Sequence, residues 1–206
     1  MQGTNRTSWM AVLGGLILIL GTIACGPPEE ELTSARASLE EAREAGAETY
    51  APQAWQQAQD ALRAAEDEIE TQAEKSSVSR RYQHSRELLQ GAQELSGQAV
   101  LAAEQGREQA RREAEQGLTA ARSALEAARS RLSDLAACES KPKGFDQDLE
   151  LLGGTLDGVE TELAEVDTRL AAEEWAEART RTRAIQAELD AFAAEVDAAA
   201  AEAGCS

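Results

Sequence analysis

Histidine occurs once in these 206 residues, as His84, and aromatic side chains make up only 3% of them. Nucleophilic triads and most metal centres need a histidine whose partners the fold holds in place, so neither has much to start from. Three cysteines are too few for a disulfide-dense scaffold, and three tryptophans with two tyrosines do not furnish an aromatic binding sheet. A cationic excess is missing as well. The formal net charge is −18, which excludes a basic protein built to neutralise nucleic-acid phosphates. What is abundant is alanine, 42 residues, with glutamate, arginine and leucine behind it. That is the composition of long helices and coiled coils, and the length admits one domain or two small ones.

Residues 1–9 are polar with a single cation, Arg6, and residues 10–24 form an apolar run that includes Leu16-Ile17-Leu18-Ile19-Leu20. About 15 apolar residues fit a signal-peptide core and fall short of the ~20 that span a bilayer as a helix. The run closes on Ile23-Ala24-Cys25. This end resembles a bacterial lipoprotein signal, in which small residues stand directly before a cysteine that is lipidated and becomes the mature N-terminus. Thr22 stands where leucine is usual. The alternative is an uncleaved short transmembrane anchor, and either one exports the chain.

The resemblance implies a leader over residues 1–24, lipidation of Cys25, and a tether over 25–30. Stable anchoring needs more than one acyl chain, at about 0.8 kcal/mol per buried CH₂, and a lipoprotein's multiply acylated cysteine supplies them. Glycine rather than aspartate at position 26 implies, by the same resemblance, sorting to the periplasmic side of the outer membrane. The tether Gly26-Pro27-Pro28 is short and should hold the folded part close to the lipid. Lipidation of Cys25 leaves Cys138 and Cys205 in a compartment where disulfides persist. Two unrelated free thiols are the alternative.

Helical periodicity covers nearly all of the mature chain. Leu32, Ala35, Leu39, Ala42 and Gly46 lie on one stripe, behind three glutamates placed where a helix N-terminus favours anions. Pro52 suits the first turn of a second helix, which carries Trp55, Ala58, Leu62, Ala65 and Ile69. So short a connection predicts an antiparallel hairpin. After a turn at Glu74 to Ser79, a stripe runs through Tyr82, Ser85, Leu88, Ala92, Leu95, Ala99, Ala102, Gly106, Ala110, Ala114, Gly117 and Ala121. Leu118, Leu125, Leu132 and Leu135 then take it over. This predicts one helix of roughly 60 residues or ~90 Å, with kinks expected at Gly106 and Gly117.

Cys138 to Asp146 reads as a loop. Beyond it Leu149, Leu152, Leu156, Val159, Leu163, Val166 and Leu170 form a heptad stripe, and Trp175, Ala178, Thr182, Ile185, Leu189, Phe192 and Val196 mark a last helix. The turn near Ala171 to Glu174 has no proline or glycine and follows from helix length alone. The fold class is therefore all-α: elongated antiparallel hairpins and a coiled-coil-like bundle around a long central helix. Residues 31–106 form an alanine-rich hairpin with the first part of that helix, and residues 107–206 a three-helix bundle. The two returning helices of the last bundle bring Cys205 back to within loop reach of Cys138, which predicts a disulfide between them.

Charge is uneven along the chain. Residues 25–74 carry −10, residues 75–143 carry +3, and residues 144–206 carry −12. A cationic middle helix between two anionic hairpins points to intramolecular complementarity. The alternative is a set of independently solvated faces.

Ala35, Leu39, Ala42, Gly46-Ala47, Tyr50-Ala51-Pro52, Ala58, Leu62, Ala65, Tyr82, Leu88 and Ala92 carry a family resemblance. The segment from Ala35 to Ala102 resembles the helical-hairpin domain of bacterial envelope lipoproteins called domain of unknown function 4398. The resemblance implies an envelope lipoprotein and supplies no catalytic residue. Some members continue into a peptidoglycan-binding domain like that of OmpA, and nothing in this chain matches it.

Candidate chemistry is sparse. His84 stands among Arg80, Arg81 and Arg86 on a helix surface, and the carboxylates recur at spacings that put them on solvent faces rather than in a cleft. Leu151 to Gly158 holds three glycines without a phosphate-loop lysine. Cys138 and Cys205 lack a C-x-x-C arrangement. Arg107, Arg111 and Arg112 could face anionic lipid, but the glutamates interleaved with them favour an intramolecular role. The expectation is a non-catalytic interaction, scaffold or spacer module, with no catalytic residue, cofactor or metal. Its partners would be the membrane, through the lipid anchor, and envelope proteins or copies of itself. Nucleic acid is not expected. Neither is covalent attachment to peptidoglycan of the murein-lipoprotein kind, because the chain ends Gly204-Cys205-Ser206 rather than in lysine. The alternative is a lipoprotein holding a small ligand or lipid between its helices.

Overall fold

The computed structural model describes residues 26–139 and 142–205. The expected leader over residues 1–24 and the expected lipidation site Cys25 lie outside them. The elements are α1 (Glu29–Glu44), α2 (Ala47–Tyr50), α3 (Pro52–Ala73), α4 (Gln83–Ala136), α5 (Phe145–Ala171) and α6 (Trp175–Ala203), with no strand among the described residues. The fold is all-α, and α4 is its axis: 54 residues, or ~81 Å at 1.5 Å per residue.

Both hairpins fold onto that one helix. Ala35 packs with Leu89 and Ala92, and Ala42 with Ala99 and Ala103, so α1 runs parallel to the first half of α4. Trp55 lies at the level of Ala99 and Ala103, and Leu62 and Ala65 at that of Leu89 and Ala92, so α3 runs back the other way. On the second half, Arg122 pairs with Asp167 and Arg129 with Glu160, which makes α5 antiparallel to α4. Arg183 pairs with Glu113 and Arg131 with Asp197, which makes α6 parallel to it. The bends of the two hairpins therefore both lie at the middle of α4, and the open ends of the hairpins lie at its two tips.

The two halves are packed with different materials. Around the first half of α4 the buried side chains are mostly alanine, with Trp55, Leu62, Tyr82 and Leu89 as large exceptions. Around the second half Leu118, Leu125, Leu156, Val159, Leu163, Val166, Ile185, Leu189, Phe192 and Val196 form one continuous core. Every residue from Ala178 to Val196 of the predicted last stripe is buried, whereas Trp175 at its head is half-buried.

Three details differ from the sequence pattern. Leu89 and Ala103 are buried where Leu88 and Ala102 were expected, because α1 and α3 together cover a wider strip of α4 than one stripe describes. Ser96 is buried rather than Leu95, its hydroxyl donating to the Ala92 carbonyl at 2.8 Å. Phe145 is not loop but the first residue of α5, and its ring caps the core. The long helix that the sequence predicts is present, and α4 is helical through both Gly106 and Gly117.

Those two glycines serve contact instead. A Cβ on Gly117 would sit 2.6 Å from Thr182 Oγ1 on α6, and one on Gly106 would fall inside the contact distance of the Tyr50 carbonyl oxygen. At Gly106 the Tyr50 backbone lies where a side chain would be, and at Gly117 the Thr182 side chain does. The bend at Ala172 to Glu174 is closed by Glu173 itself, at φ 61°, with Glu174 N–H donating to the Arg169 carbonyl at 2.9 Å. A non-glycine residue in this conformation costs about 1–2 kcal/mol.

Two outcomes follow from this packing. Gly97 has open space around its Cα, so Gly97→Ala should raise stability by up to ~1 kcal/mol through helix propensity. Gly117→Ala should lower it by ~1–3 kcal/mol through overpacking, and thermal unfolding of the two variants reads the opposite signs. Large aliphatic side chains contribute ~1.5–3 kcal/mol each on burial, and alanine much less. Hydrogen exchange should accordingly find residues 149–196 better protected than residues 32–69.

Candidate functional site

The chemically distinctive groups gather at the two tips of the rod. At the first tip the chain enters through Gly26-Pro27-Pro28, and Pro28 is fully buried. Arg86 on α4 holds this entry: its Nη2 donates to the Gly26 carbonyl and its Nε to Glu31 Oε1, both at 3.0 Å. Gln93 Nε2 donates to the Glu31 carbonyl at 3.4 Å. The Glu31 carboxyl is held below the usual carboxylate range, first by its own backbone amide, with burial opposing this and Arg86 adding to the lowering through its hydrogen bond and its charge. The residue that follows Cys25 is thus clasped to the start of the central helix.

The loop between α3 and α4 closes the same tip. Arg80 folds over the end of α3, donating from Nε to the Lys75 carbonyl at 3.0 Å and from Nη2 to the Ala73 carbonyl at 2.9 Å. These are carbonyls that a helix end leaves without an internal partner. The Arg81 amide donates to Gln72 Oε1 at 3.0 Å, and Ser79 N–H to the Ser76 carbonyl at 2.9 Å. Val78 is left at the apex, 84% exposed.

At the far tip Cys138 and Cys205 come together. Their Cα atoms are 6.0 Å apart across 67 residues of chain, within the range a disulfide spans. Gly204, at φ 71°, makes this meeting possible. It ends α6 in the left-handed region and turns Cys205 back, so that the Cys205 N–H donates to the Ala200 carbonyl at 2.9 Å.

His84 is exposed near the start of α4, with Glu87 Oε2 3.8 Å from its Nδ1. Arg111 and Arg112 are engaged within their own helix. Arg111 bridges Glu108 and Glu115, and Arg112 reaches Glu108 at 2.8 Å. Two guanidiniums bonded to one carboxylate hold the exposed Glu108 carboxyl down at about 2. Arg107 instead donates to the Ala45 carbonyl at 2.8 Å and stacks over the Tyr50 ring at 5.5 Å. All three thus act within the chain. The interhelical pairs of Arg86, Arg122, Arg129 and Arg131 make the predicted complementarity real, although every one of them is solvated and worth only ~0–1 kcal/mol.

The glycines of Leu151 to Gly158 are not points of close packing inside the molecule. Gly153, Gly154 and Gly158 have open space around them, and Leu151 is 72% exposed. One surface depression is lined by Gln147, Glu150, Leu151, Gly154 and Thr155, all from α5, so it is an open helix face rather than a cavity. Among the described residues no group of three histidine, cysteine or carboxylate side chains is placed to hold a metal ion, and no helix is long and apolar enough to cross a membrane.

Sequence reasoning missed the Tyr50–Arg107 contact, the clasp of Arg86 on Gly26, and the loop apex at Val78. The last had a visible signal: from Lys75 to Arg86 there are four cations and no carboxylate, in a chain where acids outnumber bases 38 to 20. Comparison with protein-family models, curated proteins and solved structures finds no match. The resemblance of the first hairpin to the envelope-lipoprotein domain rests on its residues alone.

The thiol pairing has a direct test. Non-reducing peptide mapping of the protein should recover Cys138 and Cys205 in one linked peptide. A Cys138→Ser, Cys205→Ser variant should lose about 4 kcal/mol, the chain-entropy value for a loop of this length. Two thiols alkylated without reductant would rule the bond out.

Proposed function

We propose that this chain is a lipid-anchored, non-catalytic spacer or scaffold module of the cell envelope, held by an acylated Cys25 on the periplasmic side of the outer membrane. The observation that carries the reading is the placement of residue 26. The chain leaves its signal-like segment directly onto one tip of a helix ~81 Å long, and Arg86 fixes it there. An anchor at that point turns the whole molecule into a stand-off, with the Cys138 and Cys205 tip far from the lipid.

The interior supports a structural rather than a receptive role. Alanine and glycine faces bring the helices of the first hairpin into close approach, and ligand pockets need enclosed apolar space. This weighs against a ligand or lipid held between the helices. Contacts with envelope proteins, or with copies of the chain, would use outer helix faces such as the one bearing Leu151, Gly154 and Gly158. The resemblance of residues 35–102 to the helical domain of envelope lipoproteins agrees with this assignment.

Metabolic labelling with a fatty-acid analogue tests the anchor. The wild-type protein should take the label and fractionate with the outer membrane, and Cys25→Ser should do neither. Equal labelling of the two would refute it.

A further inference from the structure

The loop at the anchored tip differs from the rest of the chain in charge and in polarity. Residues 75–86 contain Lys75, Arg80, Arg81 and Arg86 and no aspartate or glutamate, in a protein of net charge −18. Arg86 is occupied by Gly26 and Glu31; Lys75, Arg80 and Arg81 are exposed, although Arg80 and Arg81 also donate to backbone carbonyls of the loop. Between them stands Val78, which with Leu101 and Leu151 is one of the large hydrophobic side chains exposed to solvent. It sits in a run of serines, Ser76-Ser77-Val78-Ser79, whose turn is held by the Arg80 bonds to Lys75 and Ala73.

Position along the axis completes the picture. Arg86 pairs with Glu31, whereas the Arg81 amide meets Gln72. The loop therefore stands further out along α4 than Glu31 does. Glu29 and Glu30 on α1, Glu70 on α3, Glu74 just past its end and Glu87 near the start of α4 are exposed carboxylates of this end. Glu74 and Glu87 flank residues 75–86, and none of the five lies within that segment. An apolar apex flanked by three cations thus projects from the tip at which the chain emerges toward Cys25.

We infer that this loop rests on anionic phospholipid headgroups, with Val78 at the acyl boundary and Lys75, Arg80 and Arg81 facing the phosphates. The inference rests on the anchored reading above, since it is the acylated residue that brings this tip to the lipid. Cations beside an anionic leaflet each favour contact by roughly fivefold, and the gain fades within a Debye length. The loop then does what an acyl anchor alone cannot. An anchor holds one point and leaves the rod free to swing, while a second point of contact at the same tip sets it upright.

The test uses the chain from residue 25 onward, tethered to vesicles through an N-terminal hexahistidine on a nickel-chelating lipid. Tethering no longer depends on acylation in cells, so the fatty-acid labelling above and this experiment fail separately. Vesicles of phosphatidylglycerol and phosphatidylethanolamine carry a photoactivatable phospholipid, and crosslinked peptides are mapped by mass spectrometry. The peptide spanning residues 75–86 should be labelled at least fivefold more than one spanning residues 142–155. Zwitterionic phosphatidylcholine vesicles, or half-molar salt, should remove most of that difference.

Val78→Ser, which keeps the backbone carbonyl that accepts from Arg81 Nη1, should cut the labelling severalfold with unchanged thermal unfolding. Lys75→Gln with Arg81→Gln, which leaves the Arg80 bonds of the turn in place, should remove most of the preference for the anionic lipid. Labelling of residues 75–86 that is equal on both lipid types, or no greater than that of residues 142–155, would overturn the proposal. Dominant labelling along α5 would overturn it too, because the rod would then lie flat.

Discussion

The close approach of backbones along α4 is the constraint on which the rest of the molecule depends. Ala35, Ala42, Ala99 and Ala103 are fully buried although each has only a methyl group to bury. Such side chains contribute little by area, so the first hairpin is held by the number and closeness of its contacts. Gly106 and Gly117 take this to its limit, one against the Tyr50 carbonyl and the other against Thr182. They lie near the middle of the helix, where the hairpin bends come in. A side chain at either position would push a bend away from the axis and leave both hairpins hanging on their tips.

How far the sequence declares this architecture depends on the size of the buried residues. Where they are large, the stripe is unambiguous: Leu156, Val159, Leu163 and Val166 on α5, and Ile185, Leu189, Phe192 and Val196 on α6, are all buried at the positions their spacing dictates. Where alanine is on every face, spacing alone cannot choose. Ala102 and Ala103 are equally plausible in a pattern, and only the arrival of two helices at once decides for Ala103. The same ambiguity governs glycine. In a helix it reads as weakness, and whether it is instead a point of contact depends on a partner distant in sequence, Tyr50 for Gly106 and Thr182 for Gly117. The bend at Glu173 was legible only as a length, because nothing in that residue type advertises a positive φ.

Electrostatics adds registry more than strength. The interhelical pairs run Arg86 to Glu31, Arg122 to Asp167, Arg129 to Glu160 and Arg131 to Asp197, each at the edge of a packed face. Exposed pairs of this kind stabilise little. A slip of one turn along an alanine face also costs little in buried area, and it would break these pairs and set acids beside acids in a chain with nearly two acids for each base. Weak pairs therefore matter most where packing discriminates least. Fewer cations remain for the outer surface as a result, and the exposed group in residues 75–86 stands out against that background.

The tips carry the fixed points because a rod gains most from being tied there. A helix frays from its ends, where carbonyls and amides have no internal partner. At one tip Arg80 covers the last carbonyls of α3 and Arg86 clasps the entering chain. At the other, Gly204 turns the C-terminal segment so that Cys205 faces Cys138. The residues just before it, Ala198 to Ala201, bring almost no apolar area to hold that segment down. A crosslink there acts where packing is weakest, and Ile185, Leu189 and Phe192 make it redundant further in. Load applied along the axis would then meet its first resistance at Arg86 on one end and at the cysteine pair on the other, with the large aliphatic core of the second half behind it.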